Sequence, residues 1–247
     1  MRVTINGEIV DDEDQWLYDY FGLPAFSPAK LRQALEKNPE GEELVVEINS
    51  IGGSVFAGFE MYSVLRSAKC DTVAEVQSLA ASAASTVMIG CNMARLSPVA
   101  QVMIHLPTAV TQGDVYEHQR TERLLDSIKT SILNGYELRC AGKTTRARLD
   151  ELMESATWLP AQDAIALGLA DELLFGEDDA ALAKSVVNAA GGLHNPARLL
   201  ERSEAAVRGG AAPAEGHPVD LAQTSPAGVG DRWRMSAKLK IEQVRFL

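Results

Sequence analysis

The stretch Thr72-Val73-Ala74-Glu75-Val76-Gln77-Ser78-Leu79-Ala80-Ala81-Ser82-Ala83-Ala84-Ser85-Thr86-Val87-Met88-Ile89-Gly90-Cys91 decides the fold. Its first part, Thr72 to Val76, reads as a buried strand, and Ala83 to Cys91 is apolar at helical spacing. Ser82 stands at the junction, inside the run of tiny side chains from Leu79 to Ser85. A serine there has two uses. Its hydroxyl can cap the new helix, or it can face a cleft beside the first helical N–H groups, which stabilise an oxyanion. Small neighbours serve the second use, because a substrate backbone must come close. Local sequence leaves both open.

The alternation of strand and helix continues on either side. Residues 1–10 carry Val3, Ile5 and Ile9 in strand spacing, and Ser27-Pro28 is a helix start with serine as N-cap and proline at the first helical position. Leu44-Val45-Val46-Glu47-Ile48-Asn49 reads as a strand, Ser50-Ile51-Gly52-Gly53-Ser54 as a turn, and Val55 to Ala68 as a helix. A further strand is expected over Val99–Ile104. Repeated strand–helix units imply an α/β fold with a parallel sheet covered by helices.

Beyond it, Val115 to Ala141 is one long amphipathic stretch, about twice an average helix of 11–12 residues. It either projects towards a partner subunit or packs along its own domain. Thr144 to Met153 reads as another helix. Trp158 to Leu167 then leads into Gly168-Leu169-Ala170-Asp171, with Gly168 as helix terminator.

After about Gly176 the composition changes. Ala189-Ala190-Gly191-Gly192, Gly209-Gly210-Ala211-Ala212-Pro213 and Ser225-Pro226-Ala227-Gly228 lack a sustained apolar period and read as flexible linker, interrupted by weak helices at 179–190 and 196–208. The basic last stretch, Asp231 to Leu247, is either a partner-binding tail or a solvated one. The expected division is a catalytic domain at 1–176 and an Ala/Gly/Pro-rich extension at 177–247.

The whole chain has 247 residues, 46% hydrophobic and 23% charged, an ordinary composition for a protein with a sizeable core. A net charge of −11 argues against a nucleic-acid binder. No apolar run approaches the roughly 20 residues of a membrane span. Met1-Arg2-Val3-Thr4 enters a strand pattern directly, with no signal peptide visible. Cys70, Cys91 and Cys140 are widely spaced and form no metal-ligand pattern, so buried reduced thiols, a cytoplasmic location and no metal are expected.

Serine hydrolysis needs a nucleophile, a base, a group orienting the base, and donors aimed at the oxyanion. His105 leaves the strand ending at Ile104 just before Leu106-Pro107, which holds it at a sheet edge. His118 lies on the charged face of the long helix, and His194 and His217 lie in the tail. Asp171 closes a turn before the strand-like Glu172-Leu173-Leu174-Phe175; alone it is a turn aspartate. Gly52-Gly53 lacks the lysine and the third glycine of a phosphate loop. It serves either a simple turn or close backbone approach to an extended ligand.

Four motifs occur together in order: Asn49-Ser50-Ile51-Gly52-Gly53-Ser54-Val55, Leu79-Ala80-Ala81-Ser82-Ala83-Ala84, Val102-Met103-Ile104-His105-Leu106-Pro107 and Gly168-Leu169-Ala170-Asp171. In that order and spacing they resemble the Clp-type serine peptidases. Trp158-Leu159 followed by Ala161-Gln162-Asp163-Ala164 narrows the resemblance to the Clp-related head maturation proteases of tailed phages and prophages.

The resemblance implies a crotonase-like spiral of β-β-α units with a long projecting helix, and Ser82 as nucleophile, His105 as base and Asp171 as its orienting group. It also implies Gly53 and Ala83 amides as the oxyanion hole, and Gly52, Ser54 and Leu106 at the substrate. No cofactor is implied. Implied partners are capsid, scaffold or portal proteins and further copies of the chain in a seven-membered or stacked ring, with action in the host cytoplasm or inside the prohead. Two positions depart from the family pattern, Ile51 where proline is usual and Ser78 where glycine is common. The hydrophobic loops that engage an unfoldase are not recognisable, which argues against an ATPase partner. The alternatives are a general Clp-like peptidase working with an ATPase, an acyl-CoA enzyme such as a hydratase on the same fold, and a non-catalytic scaffold.

Overall fold

The computed structural model describes residues 1–175. The tail readings, residues 177–247, lie outside the described residues. The described chain runs β1 (Arg2–Ile9), α1 (Gln15–Phe21), β2 (Ala25–Phe26), α2 (Pro28–Lys37), β3 (Leu44–Gly53), α3 (Val55–Arg66), β4 (Thr72–Ala81) and α4 (Ala83–Gly90). It continues with β5 (Met93–Leu96), β6 (Gln101–Ile104), α5 (Val115–Cys140), α6 (Arg146–Glu154), β7 (Thr157–Pro160), α7 (Ala161–Leu167) and β8 (Glu172–Leu173). The expected α/β class with a mostly parallel sheet is what forms.

The sheet order is β2-β1-β3-β4-β5-β8, with β6 joining on β4 and β7 on β6; every pairing but β6–β7 is parallel. Apolar runs such as Leu44-Val45-Val46 suit such a sheet, whose strands are shielded from water over much of their length. Ile5, Leu44, Val46, Ile48, Val76, Leu96, Val102 and Ile104 are almost wholly buried. Each contributes about 1.5–3 kcal/mol through burial.

β4 has two different neighbours on one side. Its first half pairs with β5, Val73↔Met93 through Val76↔Leu96, and its second half with β6, Leu79↔Gln101 through Ala81↔Met103. Its register against β3 slips between these halves, from Ile48↔Val76 to Ser50↔Ala80. The slip brings the glycine turn at the end of β3 level with the end of β4, where Ser82 stands.

α4 is buried on every side, all eight residues from Ala83 to Gly90. A helix apolar all round belongs in a core, and its small N-terminal residues let it sit close to β3, β4 and α3. Gly58 illustrates the fit: a Cβ there would stand 3.2 Å from the Ala83 Cβ. α5 is 26 residues long, as expected, and is buried through Ile128, Ile132, Leu133, Tyr136 and Cys140. Its first half is exposed, including Val115, Tyr116 and Leu124.

The strand expected over Val99–Ile104 is shorter, beginning at Gln101, because Ser97 to Ala100 form a turn closed by Ala100 N–H on Ser97 O at 2.8 Å. Four-residue β5 and β7 and the short α1 carry too little periodicity to be read from sequence. Cys70, Cys91 and Cys140 are all free; Cys91 and Cys140 are buried, and burial pushes the Cys91 thiol up to about 12. Cys70 is only partly buried. No described helix is long and apolar enough to cross a membrane.

Candidate active site

Ser82 immediately follows β4 and opens α4 in an unusual backbone conformation, φ 53° and ψ −126°. A non-glycine residue held there stores about 1–3 kcal/mol, which only over-determined surroundings sustain. Those surroundings are visible. The Ser82 N–H donates to Met103 O of β6 at 2.8 Å, and Ser82 O accepts from Ser85 N–H at 3.0 Å. The hydroxyl makes no capping bond to α4. It lies instead 2.7 Å from His105 Nε2. Of the two uses open to this serine in the sequence, the structure takes the one that faces a base.

His105 is the first residue after β6, so Ala81↔Met103 pairing delivers it beside Ser82. Burial lowers its pKa from the ordinary 6.5, and among the described residues no charged group offsets that effect. The neutral imidazole is thereby favoured. For Nε2 to accept the serine proton, the ring proton must sit on Nδ1.

Asp171 does not join this pair. Its carboxylate accepts from Ala94 N–H at 2.7 Å and is gripped by Arg139, and its own N–H donates to Ala94 O. Ala94 pairs with Ala74 at the start of β4, whereas His105 lies just beyond Met103, the partner of Ala81. Seven residues of strand at about 3.3 Å each put some 23 Å between those levels. The physical reason is topological: β8 pairs with β5, on the half of β4 remote from Ser82. Arg139, at the end of α5, also donates to Leu169 O, Cys91 O and Asn92 O. Asp171 and Arg139 together tie α5 to the β5–β8 edge.

β6 and β7 run antiparallel with Ile104 opposite Thr157, and one further step of that register reaches His105 and Ala156. Ala156 has φ 47°, the left-handed conformation. Among the described residues, the hydrogen bond of the His105 ring goes to Ser82, and none goes to a carboxylate. The signal for this position was in the order of elements, yet β7 was too short to be read beforehand.

The glycine turn lies against Ser82. A Cβ on Gly52 would stand 2.7 Å from Ala81 O, 2.7 Å from Ser82 Cβ and 2.9 Å from Ala83 N, and its φ is +94°. Gly53 instead faces β1, where a Cβ would meet Ile9 O at 2.1 Å. The turn is stitched by Ser50, whose hydroxyl donates to Gly7 O and accepts from Gly52 N–H. That double bond pattern stiffens the turn although Ile51 replaces proline. Ser54 caps α3 by accepting from Ala57 N–H and donates to Asp11 at 2.9 Å, so its hydroxyl is already committed. Leu106 packs against the core and, with Pro107, lines a cavity of about 360 Å³. His118, Thr121, Glu122 and Leu125 of α5 form its other wall. A smaller crevice joins Ser82, Ala83, Thr86, His105 and Tyr136. Among the described residues, no group of three or more His, Cys, Asp or Glu side chains is placed to hold a metal ion.

A mostly parallel α/β fold with a serine and a histidine in contact at a strand–helix junction is an arrangement suited to a serine hydrolase. The Clp protease family model matches residues 29–177, more than half of the chain, and the protein belongs to that family. Among its relatives is the ATP-dependent Clp protease proteolytic subunit of Bacteroides fragilis, 28% identical over 142 residues, covering 57% of this chain and 68% of the relative. The corresponding Porphyromonas gingivalis subunit is 26% identical over 142 residues, covering 57% and 63%. Subunit 1 of Chlamydia muridarum is 29% identical over 149 residues, covering 59% and 77%.

Proposed function

We propose that this Clp-family peptidase is a serine endopeptidase acting through Ser82 and His105. The supporting observation is the 2.7 Å contact between Ser82 Oγ and His105 Nε2 at a junction where the hydroxyl does no capping. Ser82 Oγ attacks the scissile carbonyl carbon as its proton passes to His105 Nε2. The Ala83 and Gly53 amides serve as oxyanion donors. The C–N bond breaks, His105 hands its proton to the leaving amine, and an acyl-serine remains. Water then attacks that ester, giving a proton to His105, which returns it to Ser82 Oγ. The cavity beside Leu106 and Pro107 takes the extended chain flanking the scissile bond. Orientation of His105 rests on its burial and backbone, with no side-chain carboxylate from the described residues.

The finer reading is a head maturation protease cutting capsid, scaffold or portal proteins of a tailed phage or prophage. It is supported by the run Trp158-Leu159 with Ala161-Gln162-Asp163-Ala164. Copies of the chain assemble into a ring in the host cytoplasm, with the exposed half of α5 at a contact between copies. Although its relatives are named ATP-dependent, the reading requires no ATPase.

Co-expression with neighbouring capsid genes tests the role. Product masses should differ between the wild type and Ser82→Ala, and identical masses would remove the maturation role while leaving peptidase activity standing. Fluorophosphonate labelling tests the chemistry itself: Ser82 should be modified in the wild type, whereas an acyl-CoA hydratase or a scaffold should stay inert.

A further inference from the structure

The geometry points to Tyr136 as a positioning residue for the nucleophile, acting from α5 through Ser85 on the carbonyl of Ser82. The inference rests on the serine-peptidase reading and adds to it a chain of hydroxyls that the mechanism does not use.

The chain starts from the positive φ of Ser82, 53°, which needs something to hold it. Besides the helical N–H bond from Ser85, the Ser82 carbonyl accepts a second bond from Ser85 Oγ at 2.6 Å. A serine hydroxyl has one proton, and this bond uses it. The 2.7 Å contact between Ser85 Oγ and Tyr136 Oη therefore has the tyrosine as donor. Proton direction is thereby fixed along the path from Tyr136 to Ser85 to Ser82 O.

Burial strengthens the path. Ser85 is wholly buried and Tyr136 is 2% exposed. In so dry a setting each bond is stronger, and an unmade one costs more. Burial also pushes the phenol up to about 12, so Tyr136 remains a donor across the working pH range. Tyr136 Oη meets α4 one helical turn past the nucleophile, while its own helix carries the wall of the larger cavity. Displacement of α5 therefore reaches Ser82 by a direct route of two hydrogen bonds.

The test measures modification by a fluorophosphonate, in which Ser82 Oγ bonds to phosphorus and fluoride leaves. Rates are taken per folded molecule for the wild type, Tyr136→Phe, Ser85→Ala and the double variant, with kinact separated from KI. Both substitutions keep the side-chain packing nearly unchanged. The expected result is a kinact about fivefold lower for Tyr136→Phe and about tenfold lower for Ser85→Ala, with KI unchanged. The two act in series, so the double variant should match Ser85→Ala. Because His105 lies outside the path, the acid limb of the pH profile should not move. Tyr136→Phe reacting at the wild-type rate, or losses that multiply in the double variant, would overturn the inference alone. A wild type inert to the probe would overturn the serine-peptidase reading together with it.

Discussion

Among the described residues no charged group shifts the His105 ring, and that has a measurable sign. Burial holds its pKa below 6.5, so the neutral base persists to lower pH than an ordinary histidine would allow. The acid limb of kcat/KM is expected below that value. Ala156→Asp places a carboxylate across from the ring, and aspartate tolerates the left-handed backbone at that position better than alanine does. The negative charge should favour the imidazolium, moving the acid limb upward and raising kcat about tenfold or more. An unchanged limb would show that the β7 register does not bring residue 156 to the ring. Conversely, Asp171→Asn should leave kcat within about a factor of ten, whereas loss of a true orienting aspartate costs about 10⁴. Steady-state kinetics on the two variants separate these roles. The Ser82–His105 pair was legible through the four ordered motifs taken together, since local sequence alone left Ser82 open between a helix cap and a nucleophile. The partner of His105 was not, since it depends on which half of β4 each later strand joins.

At the scale of elements, the β3–α3 turn and the start of α4 are one packed unit. Gly52 has no room for a side chain: Ala81 O, Ser82 Cβ and Ala83 N all lie within 3 Å of where its Cβ would stand. Gly52→Ala should therefore displace the nucleophile and remove activity. The positive φ and the clash with backbone should also lower stability by about 1–3 kcal/mol, readable in urea denaturation. Wild-type labelling of Ser82 in that variant would contradict the packing described. The strands β1, β3 and β4 and the helices α2, α3 and α5 were all readable from apolar spacing and from Ser-Pro or Gly signals. The four-residue strands β5 and β7 were not, because four residues give two turns of a period-two pattern and no boundary.

For the whole molecule, the long α5 has two unlike halves. Its C-terminal half is built into the core through Ile132, Leu133 and Tyr136, while Tyr116 and Leu124 are left exposed on the N-terminal half. If that half lies between copies, Leu124→Glu should shift the assembly to smaller species in analytical ultracentrifugation without changing the far-UV spectrum. Sedimentation identical to the wild type would place the contact elsewhere. The length of this helix was plain in the sequence, but which half meets its own domain was not. That division follows from where Ser85 receives Tyr136 and Asp171 receives Arg139, and those contacts are long-range.

The double allegiance of β4 has a last consequence, for how the enzyme fails. Ser82 is attached to the one strand that pairs with β3, β5 and β6, and its own amide is bonded to β6. Fraying of an edge such as β2 or β8 leaves it untouched, and releasing it requires dismantling the centre of the sheet. Amide exchange around Ser82 should then be slow and track global unfolding, in contrast to sites carried on mobile lids. Loss of Ser82 labelling on heating and loss of the far-UV signal are then expected to coincide.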